Sequence, residues 1–258
     1  MQSRFRSYAL LALLGLSVGA ACGGEDDTAD NPGSSGSATD GGSPSGSAGT
    51  GSDAGTASTA NLKVDYTKGP LMPLSIGSTW TYRVTDGDKI DEKKLTAEKT
   101  EAVGGAGPSA GKAAVKLVAD RVDELTVSWV AADGDRVLRY REQVVDVATQ
   151  AVKKEDVWDP YRLYADGAEA HRVQGATWLE EHTETTTKDG VAETSSISER
   201  WTVQSAAESV TVPAGTFTAV VFTKAGASKL KTYWYVPGVG KVKETGGQTE
   251  ELSAYAIK

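Results

Sequence analysis

Two histidines, His171 and His182, and one cysteine, Cys22, are the whole supply of imidazole and thiol in this 258-residue chain. Neither histidine stands at metal-ligand spacing from the other or from the cysteine, so no zinc site is expected. A Ser-His-acid triad needs no adjacency in sequence. No G-x-S-x-G nucleophile elbow accompanies the histidines to suggest one. The Asp86-Gly87-Asp88 and Asp133-Gly134-Asp135 segments lack the further spaced carboxylates of a calcium loop and read as hairpin turns. Gly111-Lys112 superficially suggests a phosphate-binding loop, but Ala106 stands where its first glycine belongs and Ala113 replaces its Ser/Thr. Glu180-Glu181 and Glu250-Glu251 read as solvated strand edges that discourage edge-to-edge pairing. The expectation is a protein with no catalytic residues, no metal and no cofactor, hence not an enzyme.

Cys22 has a more specific context. Arg4 and Arg6 precede an apolar run from Tyr8 to Val18, and Gly19-Ala20-Ala21 lead into the cysteine. A basic start, a short apolar core and small exit residues predict a secretory signal peptide over residues 1–21. The run is shorter than the roughly 20 residues a spanning helix needs. The cysteine after small residues resembles the lipobox of bacterial lipoproteins, in which it is acylated and becomes the mature N-terminus. That resemblance implies lipidation at Cys22 and a membrane partner reached through the acyl anchor, at ~0.8 kcal/mol per buried methylene. Gly23 in place of Asp resembles the pattern that permits passage to the outer membrane.

Residues 22–61 are dominated by Gly, Ser, Ala, Thr and Asp. Up to Ala60 there is no aromatic residue and no Leu, Ile or Val, so the segment has too little apolar surface to offset the entropy of ordering. It reads as a disordered tether with a reach of about 31–37 Å, and its composition is similar to that of many myxobacterial lipoproteins. Its acids account for most of the net charge of −8. The remainder is mildly acidic, with no basic patch interleaved with aromatics, and nucleic acid is therefore not expected as a partner.

Stepping from these ends to the elements between, residues 62–258 carry strand patterns at hairpin spacing. Trp80, Tyr82 and Val84 alternate with Thr79, Thr81 and Arg83; Leu125, Val127, Trp129 and Ala131 alternate likewise. Pro213-Ala214-Gly215 and Pro237-Gly238-Val239-Gly240 punctuate the β-branched and aromatic stretch from Val210 to Glu244. Val152–Trp158 is expected to be a strand stopped by Asp159-Pro160, and Tyr161–Val173 a loop with at most one helical turn. Trp178–Thr187 and Val191–Val203 flank Asp189-Gly190 as a long polar hairpin. No stretch keeps helical spacing. The prediction is an all-β domain, one antiparallel curled sheet (a half-open β-barrel) of about ten to thirteen strands.

The P-L-x-I-G-x-x-W-x-Y opening within Leu71–Val84 and the V-P-A-G-T-F…Y-W-Y-V-P-G-V-G-K-V-K close within Val210–Glu244 resemble those of a class of bacterial exported proteins. Through these it is similar to the half-barrel of the lipoprotein-localisation (LolA/LolB-like) carriers. The resemblance implies a cavity for an acyl chain or other apolar ligand, although no lid helix is evident. Trp80, Tyr82, Trp129, Trp201, Phe222 and Trp234 are the candidates to line it, in a continuous cavity of ~300–1,000 Å³. The alternative is a solid barrel serving as a structural or interaction module whose partner is another envelope protein.

Overall fold

The computed structural model describes residues 69–226 and 229–258. The expected signal peptide, Cys22 and the tether over 22–61 lie outside the described residues. Twelve strands follow in sequence: β1 (Thr79–Asp86), β2 (Lys89–Ala102), β3 (Ala113–Asp120), β4 (Glu124–Asp133), β5 (Arg136–Asp146) and β6 (Val152–Asp166). After a single 3₁₀ turn at Glu169–His171 come β7 (Thr177–Lys188), β8 (Val191–Val212), β9 (Gly215–Ala225), β10 (Lys231–Val236), β11 (Gly240–Thr245) and β12 (Thr249–Ala256).

Each strand pairs antiparallel with its sequence neighbours, so the sheet is a plain up-and-down meander. Tight turns make this the available topology. Gly87, Gly134 and Gly190 each sit at positive φ between consecutive strands, where a side chain would be strained. The expected curl is present, and it runs on past half-open to closure. β1 takes β12 on its free side from Thr79↔Ala256 to Thr85↔Thr249, leaving no end strand exposed. The ring is uneven. β11 and β12 pair only at Lys243↔Glu251 and Glu244↔Glu250, and the β6–β7 ladder stops at Asp159↔Thr183.

That second gap corrects the reading of Pro160. The strand does not stop there: β6 continues through Asp159-Pro160 to Asp166. Proline has no N–H to give a ladder, and here none is required. The β5–β6 register shifts between Arg139/Arg162 and Arg141/Val157, leaving Pro160 in a bulge between two paired stretches. The segment after Asp166 holds the one helical turn expected of it.

An up-and-down barrel sends alternate turns to opposite ends. At one end, called the floor, Leu71 and Met72 of the extended arm are fully buried beside Trp80, Val239 and Val242. The indole N–H of Trp80 donates to the Val239 carbonyl at 2.6 Å, and the Pro70 carbonyl accepts from the Gly238 amide at 3.2 Å. The floor is therefore an apolar plug tied to the Pro237–Gly240 turn. The other end carries the β1–β2, β3–β4, β5–β6, β7–β8, β9–β10 and β11–β12 turns and forms the mouth.

Candidate functional site, a charged lumen

Alternation decides what the barrel encloses. On β4, Glu124, Thr126 and Ser128 face inward with Leu117 and Ala119 of β3; on β2 and β11, Lys93 and Lys241 do the same. With twelve strands the ring is wider than small side chains can fill. Long charged side chains enter it from β2, β4, β5, β6, β9, β10, β11 and β12. They leave a cavity of about 310 Å³ lined by seven Lys and Arg side chains, four Glu side chains and a set of aromatics.

The charges form alternating chains. Lys93 meets Glu250; Lys241 meets Glu250 at 2.8 Å and also Glu244; Lys231 meets Glu244 at 2.7 Å. Next to Lys231, whose cross-strand partner is Lys224, Arg162 Nη2 and Lys224 Nζ donate to the same oxygen of Glu199, at 2.7 and 2.9 Å. Arg139 pairs with Glu142, which also accepts from the Ser128 hydroxyl at 2.7 Å. Glu184 accepts from the Trp158 indole at 2.7 Å and stands 3.9 Å from Arg162. The Lys93-to-Lys231 chain and the Arg162–Glu199–Lys224 triad each begin and end on a cation.

Ionisation follows from that order. Burial pulls Lys93 down to about 8, and the neighbouring Lys241 adds to the fall. Lys241 is just as dehydrated yet moves up, because two carboxylates, Glu244 and Glu250, flank it where Lys93 has one. Burial alone would raise Glu199; Lys224 and Arg162 overcome it and hold the acid at about 2. Burial, with Arg162 next in weight, lowers Lys224 to about 8. Lys93 and Lys224 are thus the two lumen cations that are costly to charge where they stand.

Aromatics form the other part of the lining. Trp201 and Tyr233 stack at 5.6 Å, and Lys224 Nζ lies 5.4 Å from the Trp201 ring centroid and 6.0 Å from that of Tyr233. Tyr82, Tyr164 and Tyr235 share the cavity. The Tyr82 hydroxyl donates to the Lys241 carbonyl and that of Tyr235 to the Tyr164 carbonyl, both at 3.0 Å.

Of the six aromatics named from sequence, Tyr82 and Trp201 line this cavity and the other four do not. Trp80 is sealed in the floor. Phe222 packs edge-on against Trp201 and Tyr235 behind the lining. Trp129 and Trp234 stand on the outer face. Trp129 donates to Glu101 at 3.0 Å under the Arg141 guanidinium, and Trp234 donates to Glu208 at 2.8 Å beside Lys243. The expected apolar lining is corrected accordingly: the cavity wall is mostly polar and charged. Sequence reading missed the charged residues because an inward Lys or Glu in a wet strand has the same spacing as an outward one. Even simple alternation would have misled on β11, where a register shift puts Lys241 inside and Lys243 outside beside Trp234.

No family model matches the chain, and no curated protein matches it. Two solved structures are similar in the course of the chain. One, described as an exported protein with a YmcC-like fold from Bacteroides fragilis, is 17% identical, covers 72% of this chain and 98% of its own, and superposes with a TM-score of 0.41. The other, described as a lipoprotein from Parabacteroides distasonis, is 12% identical, covers 73% of this chain and 99% of its own, and gives a TM-score of 0.38.

Proposed function

We propose that this chain is an exported bacterial lipoprotein, held at the cell envelope by acyl chains on Cys22, whose barrel binds a small polar solute without transforming it. The signal-like residues 1–21, the lipobox-like exit into Cys22 and the tether over 22–61 support the address; an outer-membrane location rests on Gly23 alone. The observation that carries the ligand class is the lumen itself. A cavity of about 310 Å³ meets the lower bound of ordinary ligand sites, ~300 Å³, and its wall is made of paired charges and tyrosines. Such a wall disfavours an acyl chain, which would leave those charges both buried and unhydrated. This departs from the apolar cargo implied by the lipoprotein-localisation carriers. The solid-barrel alternative has less support, because the lumen is not filled. A non-enzymatic role is supported by the state of the acids: Glu142, Glu199, Glu244 and Glu250 are each tied to a cation and poorly placed to accept a substrate proton.

The test is a thermal-shift panel on the full chain in detergent, set against neutral sugars, small organic acids, small amines and fatty acids. A polar solute that raises the melting temperature at millimolar concentration is the expected result. Tight fatty-acid binding with no response to any polar solute would overturn the reading.

A further inference from the structure

The lumen has an imbalance that its ion pairs do not remove. Among the described residues lining it, the buried side-chain atoms that find no protein partner are all donors: the Nε of Arg139, the Nε of Arg162 and the indole N–H of Trp201. Trp201 is 2% exposed, so its N–H has no route to bulk water in place of a partner. One buried acceptor nearby is also unmet, Oε2 of Glu199, but Glu199 is not part of the cavity wall. Lys224 shares a single carboxylate oxygen with Arg162, whose other carboxylate, Glu184, stands 3.9 Å away.

We infer that the lumen binds a small oxyanion (a phosphate, sulfate or carboxylate group) between Arg162, Lys224 and the indole N–H of Trp201. The inference rests on the proposed polar-ligand reading and names the chemistry of that ligand. An oxyanion offers several acceptor lone pairs at once, which suits unmatched donors on three residues that line one cavity. A neutral sugar supplies hydroxyls that satisfy the donors but brings no negative charge to a wall that carries seven Lys and Arg against four Glu. A cation would add positive charge to that wall. The stacked Trp201 and Tyr233 rings bound the same space and give an attached planar or sugar moiety a face to lie against.

The experiment is calorimetric titration of the full chain in detergent with inorganic phosphate, with dihexanoyl phosphatidic acid as the headgroup probe and glucose as the neutral probe. Lys224→Met is the informative variant, because Glu199 keeps Arg162 as its partner and the fold is retained. Trp201→Phe removes the N–H while keeping a ring, and Lys116→Met on the outer wall serves as control. Phosphate binding that weakens at least tenfold in Lys224→Met, several-fold in Trp201→Phe and not in Lys116→Met is the expected result, and it assigns the oxyanion to a free solute. The same dependence seen only with the phosphatidic acid probe assigns it to a lipid headgroup. Glucose binding without response to either phosphate probe would overturn the inference while sparing the polar-ligand reading. Phosphate binding indifferent to Lys224→Met would overturn the site, and silence from all three probes would overturn the inference, leaving the polar-ligand reading to the thermal-shift panel.

Discussion

Glu199 shows how much one buried carboxylate can hold. It is the sole carboxylate shared by Arg162 and Lys224, so replacing it with glutamine leaves Lys224 charged and without an anion. Breaking a buried pair in this way costs roughly 3–5 kcal/mol, a large part of the ~5–15 kcal/mol that stabilises a domain. Glu199→Gln is therefore expected to lower the urea midpoint substantially, and an unchanged midpoint would show the triad to be loosely held. The sign with pH is fixed. A folded-state value near 2 against an ordinary 4.5 means stability is fully present above 4.5 and falls as pH drops through that value toward 2. The variant's acid limb should be flatter over that window. His182 acts at milder pH. It is 6% exposed with neither ring nitrogen partnered, and burial holds it below its ordinary 6.5. The unfolded chain then binds the proton first, so stability declines as pH falls below 6.5. His182→Leu should raise the melting temperature at pH 5.5 by more than at pH 7.5; equal shifts would mean the ring is not held neutral. Neither role was legible in sequence, where Glu199 shared a face with Trp201 and Val203 but nothing disclosed the lysine opposite.

Turns and strands were more legible, because their signals are local. Alternation over Trp80, Tyr82 and Val84 and the turn glycines fix strands within a few residues, and no distant information is needed. Pro160 misled for the same reason: whether a proline ends a strand depends on whether its neighbours want its N–H, and that is settled by β5 and β7. Face assignment failed more often than strand assignment. On β10 the sequence offers Trp234 and Tyr233 with equal claims to the interior, and only pairing with Phe222 and Glu244 puts Tyr233 inward. The Pro237–Gly240 turn separates two kinds of glycine requirement. Gly238 has positive φ and open space, so Gly238→Ala should cost about 1 kcal/mol in backbone strain. At Gly240 a Cβ would also stand 3.0 Å from both the Met72 sulfur and the Trp80 indole nitrogen, in the packed floor. Gly240→Ala should accordingly cost more, at least ~2 kcal/mol, and disturb the Trp80 fluorescence. Equal losses in chemical denaturation would argue that the floor is loose.

At the scale of the molecule, closure and the charged lumen depend on one another. An open curl could let its inward lysines and glutamates hydrate along the free edge. A closed ring has to match them internally, and the match crosses the seam: Glu250 on β12 answers Lys93 on β2 and Lys241 on β11. The two-pair β11–β12 ladder is too short to hold the ring by backbone hydrogen bonds alone, so the ionic chain and the β1–β12 ladder share that task. A chain ending at Gln248 lacks all of this. It bares the β1 edge, which carries Trp80, Tyr82 and Val84, and leaves Lys93 without its carboxylate and Lys241 sharing Glu244 with Lys231. An unpaired strand with large apolar side chains is a template for another chain. The truncated protein is expected to keep much of its strand signal by circular dichroism while eluting as oligomers, in contrast to the full chain under the same detergent conditions. A truncated form with the elution volume and melting temperature of the full chain would mean that β12 merely decorates an open sheet, and that the lumen charges hold themselves together without the ring.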